Sequence, residues 1–356
     1  MSKRIWVVLT VVSLVVSFGQ AAFADGKLPN IKILATGGTI AGAGASSTAT
    51  THYAVAVTAV ETLISNVPDL AKIAHVTGEQ VAQIASESMT TEVWLKLAKR
   101  VNALLAQDDV DGIVITHGTD TIEETAYFLN LVVKSSKPVV IVGAMRPGTA
   151  LSADGPLNLY RAVILAGSKN AVGKGVLVML NDTIGGARDV TKTITDRVDT
   201  FQTPILGALG VFSGDQPVFY RQSLRKHTVD SEFDVSNLTA LPLVEIVYHY
   251  SGVTPTMINA AVASGAKGIV HAGVGDGSIA TQEYPPIENA LKKGVVVVRS
   301  SNVGSGIVAR NGEADDDKYG FVSSDNLNPK KSRILLMLAL TKTHDVKKIQ
   351  DYFWTY

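Results

Sequence analysis

Short apolar runs alternate with helix-length segments along the first half of the chain. Residues 31–35, 112–116, 138–142 and 175–180 are rich in Val, Ile and Leu, and Gly37 and Gly38 follow the first run closely. Residues 92–105, 121–133 and 158–166 fall between these runs and read as helices. Near-continuous apolar strands separated by helices predict an α/β domain with a mostly parallel, doubly wound sheet covered on both faces. Ligands in such sheets sit beyond the carboxyl ends of the strands. The loops after Ala35, Thr116 and Val142 are therefore the places to look for chemistry.

The pattern changes between residues 221 and 242. Arg221, Arg225, Lys226 and His227 are followed by Asp230, Glu232 and Asp234, with no strand-like run. This reads as a polar linker between domains. A second alternating set follows, with strands at 244–250, 268–274 and 294–299 and helices at 256–263 and 287–293. Two closing helices are expected at 331–340 and 346–353. The expected architecture is two α/β domains, a larger one over residues 25–220 and a smaller one over residues 243–356.

The amino terminus follows a different rule. Lys3 and Arg4 precede an apolar run at residues 5–18, and Ala22-Phe23-Ala24 forms a small-residue cleavage site. This is the layout of a secretory signal, and the run is shorter than the about 20 residues that span a bilayer. The expectation is a secreted protein with no membrane attachment once residues 1–24 are removed. The full chain of 356 residues balances 32 Lys+Arg against 32 Asp+Glu. Loss of Lys3 and Arg4 leaves the mature chain slightly acidic, which argues against a nucleic-acid partner. The chain has no Cys, so thiolate nucleophiles, disulfides and thiolate metal sites are excluded.

Two loops carry threonines at strand ends. The first, Thr36-Gly37-Gly38-Thr39-Ile40-Ala41-Gly42, offers paired glycines for close backbone approach and a hydroxyl at Thr39. From spacing alone it reads equally as a tight strand-to-helix turn. Nucleotide-loop readings fail, because Ala43 stands where a P-loop needs Lys and Ser47 replaces the last Gly of a dinucleotide motif. Residues 42–53 are rich in Gly, Ala, Ser and Thr and read either as a mobile lid or as a long surface loop. The second loop is Thr116-His117-Gly118-Thr119-Asp120-Thr121. Thr121 and Glu124 have capping-box spacing, predicting a helix from Ile122. A threonine hydroxyl needs a base to attack, and Lys192 is the best candidate in this half.

Together these pieces resemble the bacterial type II L-asparaginases and glutaminase-asparaginases, over essentially the whole mature chain. The resemblance is carried by residues 33–42 and 115–121, with Gly143-Ala144-Met145-Arg146-Pro147, Ser152-Ala153-Asp154-Gly155-Pro156 and Asp189-Val190-Thr191-Lys192-Thr193 adding to it. It implies Thr39 as nucleophile, assisted by Tyr53 and by Glu313 from a neighbouring subunit. It implies Thr119, Asp120 and Lys192 as a second catalytic group. Gly38, Ser86, Glu87, Thr119, Asp120 and Ala144 would bind the substrate, the carbonyl of Ala144 facing the leaving amide. The resemblance further implies a homotetramer, a dimer of close dimers, with no metal or cofactor. The substrates implied are L-asparagine first and L-glutamine second, with glutamine as an equal or preferred substrate the alternative.

The resemblance also places Asp276, across the dimer interface, and Ser278 in substrate binding; Asp276 departs from the family pattern, where Asn is common, and Ser278 offers a compensating hydroxyl. A non-catalytic amino-acid-binding protein is a remote alternative, because every catalytic position carries the expected residue type. The seven histidines, at 52, 75, 117, 227, 249, 271 and 344, show no metal-ligand spacing. His117 reads as a hydrogen-bonded structural residue. Asp315-Asp316-Asp317 reads as a solvated acidic turn.

Overall fold

A computed structural model describes residues 27–356, so the leader expected at residues 1–24 lies outside them. The apolar runs of the first half become the strands Asn30–Gly37, Gly112–Thr116, Val139–Val142 and Val176–Leu180. They lie side by side and all parallel. Alternation along each strand divides the core. Leu34, Ile113 and Ile115 face the layer of helices Thr91–Leu105 and Ile122–Val132. Ile31, Ile33, Ala35 and Val114 face helices Val60–Ser65 and Gly155–Gly167. Both faces are thus covered, as near-continuous apolar strands require. Full burial of each large aliphatic side chain contributes about 1.5–3 kcal/mol.

The sheet has eight strands, extended at both edges beyond the sequence expectation. His75–Ile84 adds in parallel outside Asn30–Gly37. At the other edge Thr183–Gly186, Gly210–Ser213 and Gln216–Phe219 add antiparallel.

The second sheet is wholly parallel, in the order Val244–Tyr248, Gly268–Gly273, Val296–Ser301 and Val322–Ser323. Helix Pro329–Leu340 lies between this sheet and helix Ile122–Val132 of the first layer. Ten of its residues are buried; Ile334 to Leu340 form a continuous apolar run, as a helix between two layers requires, while Lys331 and Ser332 are buried polar residues near its start. One apolar cluster consequently runs through both sheets. The segment 221–242 holds one short 3-10 turn, Thr228–Asp230. It is not uniformly solvated: Phe233 is buried against Tyr352 and Tyr356.

The acidic run departs from its expectation. Asp316 is fully buried and receives both Nε and Nη2 of the equally buried Arg299, at 2.6 and 2.8 Å. Asp315 caps the short helix Asp316–Tyr319, and Asp317 accepts from Arg310. Asp315 and Asp317 are exposed as their composition suggests, and Asp316 alone is buried as the partner of Arg299.

Candidate active site

The first strand ends in two glycines with positive φ, 110° at Gly37 and 83° at Gly38, where a side chain is strained. Space forbids one as well. A Cβ on Gly38 would stand 2.2 Å from the Cα of Gly118, so the two threonine loops touch backbone to backbone. Thr36 Oγ1 donates to the Thr116 carbonyl at 2.9 Å, and Gly38 N–H to the Ile84 carbonyl at 3.1 Å. The residue after Gly38 is Thr39, at the start of a 3-10 turn. Its nearly buried hydroxyl lies 2.9 Å from the Tyr53 phenol.

Tyr53 comes from the segment that the sequence leaves open between lid and surface loop. The segment is tethered. Ala43–Gly44 pairs antiparallel with Tyr53–Ala54. Gly44 N–H donates to Thr149 Oγ1, Gly148 N–H to the Gly42 carbonyl and Leu151 N–H to the Ser47 carbonyl. It is a small ribbon pinned to the loop after the third parallel strand.

The second loop is held from below by His117, which is fully buried. Its Nδ1 lies 2.7 Å from the Gly118 carbonyl and its Nε2 2.8 Å from Thr125 Oγ1. A carbonyl only accepts, so Nδ1 carries the proton. Nε2 of the neutral ring then accepts from Thr125, whose oxygen in turn accepts from Trp94 Nε1 at 2.8 Å. Burial pushes the imidazole down to about 4, against a weaker upward pull from the Gly118 carbonyl. The ring is a structural strut, as its sequence context suggests. The capping box is not formed: Thr121 turns its hydroxyl to the Ser86 carbonyl, at 2.8 Å. That bond and Asp120 N–H to Ser86 Oγ, at 3.2 Å, bring the 3-10 turn Ser86–Ser88 against the loop. Glu87, in the same turn, is exposed.

Lys192 joins this group from Thr191–Lys192, a short strand paired with Phe201–Gln202. Its Nζ donates to Thr119 Oγ1 at 3.0 Å and to Asp120 Oδ1 at 2.7 Å. The segment leading to it is anchored by a second, fully buried lysine. Lys331 Nζ donates to the carbonyls of Arg188 and Val190, at 2.7 and 2.6 Å. Burial pushes its ammonium down to about 8, partly offset by the Glu123 carboxylate. Burial alone would raise Glu123 in turn, but the charges of Lys331 and Lys330 outweigh it and hold it below the usual range.

A third loop, Gly143 to Arg146, is positioned by residues whose role sequence reasoning missed. Asp154 accepts from Met145 N–H and Arg146 N–H, at 3.0 and 2.9 Å. Asn158 Nδ2 donates to the Gly143 carbonyl at 3.1 Å. The segment around fully buried Ala144 is thereby clamped at both ends. Asp154 belongs to a motif that was legible, but only the fold shows what it grips.

The remaining candidates lie on the second unit. Asp276 Oδ1 accepts from Ala309 N–H at 2.7 Å, and its other oxygen would be 2.4 Å from a Cβ on Gly312. Glu313 follows directly and is exposed. Ser278 closes a bridge to Val274. Among the described residues of the single chain, no hydrogen bond joins these three to Thr39, Thr119 or Lys192. The second unit also gathers two of the dispersed histidines. His249 Nδ1 and His271 Nε2 approach the two oxygens of buried Glu283 at 2.7 and 3.1 Å. Burial alone would raise Glu283, but the hydrogen bond and charge of His271, the Ala280 N–H and His249 hold it down to about 2.

At adjoining strand ends on an α/β scaffold, one threonine hydroxyl touches a phenol and another a lysine–aspartate pair, a grouping of the kind a hydroxyl nucleophile needs. The comparisons specify the class. Residues 30–225 match the family model for "Asparaginase, N-terminal", and residues 243–353 match "Glutaminase/Asparaginase C-terminal domain". The chain is 54% identical to a glutaminase-asparaginase of Pseudomonas fluorescens, over 93% of this chain and 91% of the relative. It is 52% identical to a probable periplasmic L-asparaginase of Haemophilus influenzae, over 97% of each. A solved structure from Campylobacter jejuni, described as a probable cytoplasmic L-asparaginase, superposes with a TM-score of 0.89. That protein is 51% identical, and the match covers 92% of this chain and 100% of the other. The protein is a hydrolase. It belongs to the asparaginase and glutaminase-asparaginase family.

Proposed function

We propose that this protein hydrolyses L-asparagine to L-aspartate and ammonia through a threonine acyl-enzyme, with L-glutamine as a slower substrate. The observation that carries the reading is the contact of Gly38 with Gly118, which sets Thr39 and Thr119 on two abutting loops. Thr39 Oγ attacks the side-chain amide carbon. The C–N bond breaks, the proton from Thr39 reaches the departing nitrogen with the help of Tyr53, and ammonia leaves a β-aspartyl ester on Thr39. Backbone N–H groups and Thr119 stabilise the oxyanion. Water, deprotonated through Thr119 with Lys192 beside it, attacks the ester and returns a proton to Thr39 as aspartate departs. Asp120, Ser86 and Glu87 hold the α-amino and α-carboxylate groups, and the Ala144 carbonyl receives the leaving amide.

Removal of a nucleophile or oxyanion donor costs on the order of a hundredfold or more in kcat. Thr39→Ala and Thr119→Ala are each expected to fold as the wild type and release at least a hundredfold less ammonia. Near-normal turnover of either purified variant would remove that residue from the mechanism. Side-by-side kcat/KM values on L-asparagine and L-glutamine test the substrate order. One methylene in a pocket decides only about 1–3 kcal/mol, so measurable glutaminase activity is expected. An equal or higher value for glutamine reverses the order.

Glu313, Asp276 and Ser278 act across an interface in this reading, each serving the site of a neighbouring chain in a tetramer built from close dimers. Their lack of bonds to Thr39 within one chain supports this. So does the exposure of Leu224 (94%), Ile307 (65%) and Ile205 (55%) around one hollow near Arg221. A periplasmic location is supported by the residues 1–24 pattern and by the Haemophilus relative's name.

A further inference from the structure

We infer that His249, His271 and Glu283 form a zinc site in the second unit, apart from the threonine loops. The three residues come from separate places in the fold. His249 follows the edge strand Val244–Tyr248, His271 lies within the neighbouring strand Gly268–Gly273, and Glu283 ends the 3-10 turn Thr281–Glu283. The register is fixed by backbone pairing, since His249 N–H donates to the Ala272 carbonyl at 3.0 Å. One nitrogen of each ring and one carboxylate oxygen lie within 4.8 Å of one another. Zinc takes nitrogen and oxygen ligands at about 2.0–2.2 Å, so moves on the order of 1 Å bring the three onto one ion. Two imidazoles and one carboxylate suit zinc better than calcium or magnesium, which prefer oxygen alone. Three protein ligands leave a fourth position for water.

Charge and burial favour a cation here. Glu283 and His271 are fully buried, and the His249 side chain is 12% exposed. No Lys or Arg pairs with Glu283 among the described residues; its ion-pair partners are the two histidines. With both rings neutral, a full negative charge is buried on hydrogen bonds alone, an arrangement that buried carboxylates generally relieve by pairing or by metal coordination. The proton accounting also closes. Coordination uses His249 Nδ1 and His271 Nε2, so each neutral ring carries its proton on the other nitrogen. His271 Nδ1, buried without a partner, would carry it at the cost of an unsatisfied donor that the metal bond has to offset. A ring that starts as imidazolium releases one proton to solvent. The site also closes off the stretch from His271 to Glu283, which carries Asp276 and Ser278. An ion there would stiffen that loop.

The test uses the purified, tag-free protein stripped with a chelator. Zn²⁺ is titrated in competition with a chromophoric indicator, and Co²⁺ is added separately as a spectroscopic probe. The expected result is one Zn²⁺ per chain, a tetrahedral Co²⁺ absorption band and an unfolding temperature that rises with free Zn²⁺. His249→Gln and Glu283→Gln should each weaken Zn²⁺ at least tenfold and abolish the cobalt band. His249, nearest the surface, is the variant expected to keep the fold, which circular dichroism checks. Failure of the wild type to bind Zn²⁺ more tightly than about 100 μM overturns the proposal. So does a folded His249→Gln protein with unchanged stoichiometry and affinity.

Discussion

The two units place polar side chains at the carboxyl ends of parallel strands, but they finish the job differently. In the first, Thr39, Tyr53, Ser86, Thr119, Asp120 and Lys192 are joined into two contacting clusters within one chain. In the second, Asp276 and the neighbours of Glu313 are held as firmly, yet by bonds that run back into their own unit. Arg299 anchors this arrangement: it donates to Asp316 and to the carbonyls of Asp276 and Ala309. The first unit brings its hydroxyl, ammonium and carboxylate groups into mutual contact. The second presents a rigid rim in which Asp276 is pinned to its own unit and Glu313 is exposed. A rim built this way has a use if another copy of the chain stands against it.

The strongest test of that contrast is all-or-none. Thr39→Ala and Glu313→Ala proteins, each expected to be nearly inactive, are denatured, mixed and refolded together. If Glu313 serves a neighbour's site, mixed assemblies contain intact sites and ammonia release recovers to a sizeable fraction of wild type. No recovery would mean that Glu313 acts within its own chain or not at all.

Next in size is the anchor itself. Arg299→Met leaves Asp316 buried without its partner, a loss of about 3–5 kcal/mol. Urea unfolding should show this destabilisation. A change below about 1 kcal/mol would mean that the rim is held by its backbone pairing alone.

The first unit has a counterpart in His117. Its imidazole sits at about 4 when folded, against an ordinary value near 6.5. A depressed histidine favours the folded state above the unfolded value and loses that advantage as pH falls toward the folded one. The contribution is therefore complete above pH 6.5 and disappears between about pH 6.5 and 4, amounting to about 3 kcal/mol. His117→Gln should flatten the stability profile across that window. An unchanged slope would show that other groups set it.

The smallest effect expected is at Asp276. Asn keeps an oxygen for the Ala309 N–H and removes one charge from the rim. Asp276→Asn should change stability by less than about 1 kcal/mol. It should shift the asparagine-to-glutamine ratio by less than about tenfold, the scale of one small pocket difference. A larger shift would make the rim a principal determinant of substrate choice.

What the sequence revealed and what it hid follow from burial. Strands at 31–35, 112–116, 138–142 and 175–180 sit in the sheet interior, where both faces demand apolar residues, and all were legible. His75–Ile84 is an edge strand whose buried residue is Val81, so it leaves almost no pattern. The antiparallel extension is built of four-residue strands containing Gly185, Gly186 and Gly210, too short to signal a period. Thr39 and Thr119 stand directly behind strand ends, where sequence reasoning knows to look. Asp316 was misread because a run of three acids is usually solvated, and its partner Arg299 arrives from a distant strand. The grouping of His249, His271 and Glu283 was invisible for the same reason: sheet register, not spacing, brings them together.

The contact between Gly38 and Gly118 has a further meaning for how this protein can change. The separation of Thr39 from Thr119 is set by two main chains at van der Waals distance, not by any side chain that mutation could lengthen or shorten. The spacing of these two loops is in effect a fixed gauge. Selection, natural or in the laboratory, can exchange the residues around it and alter which amide enters. It cannot retune the gauge one substitution at a time.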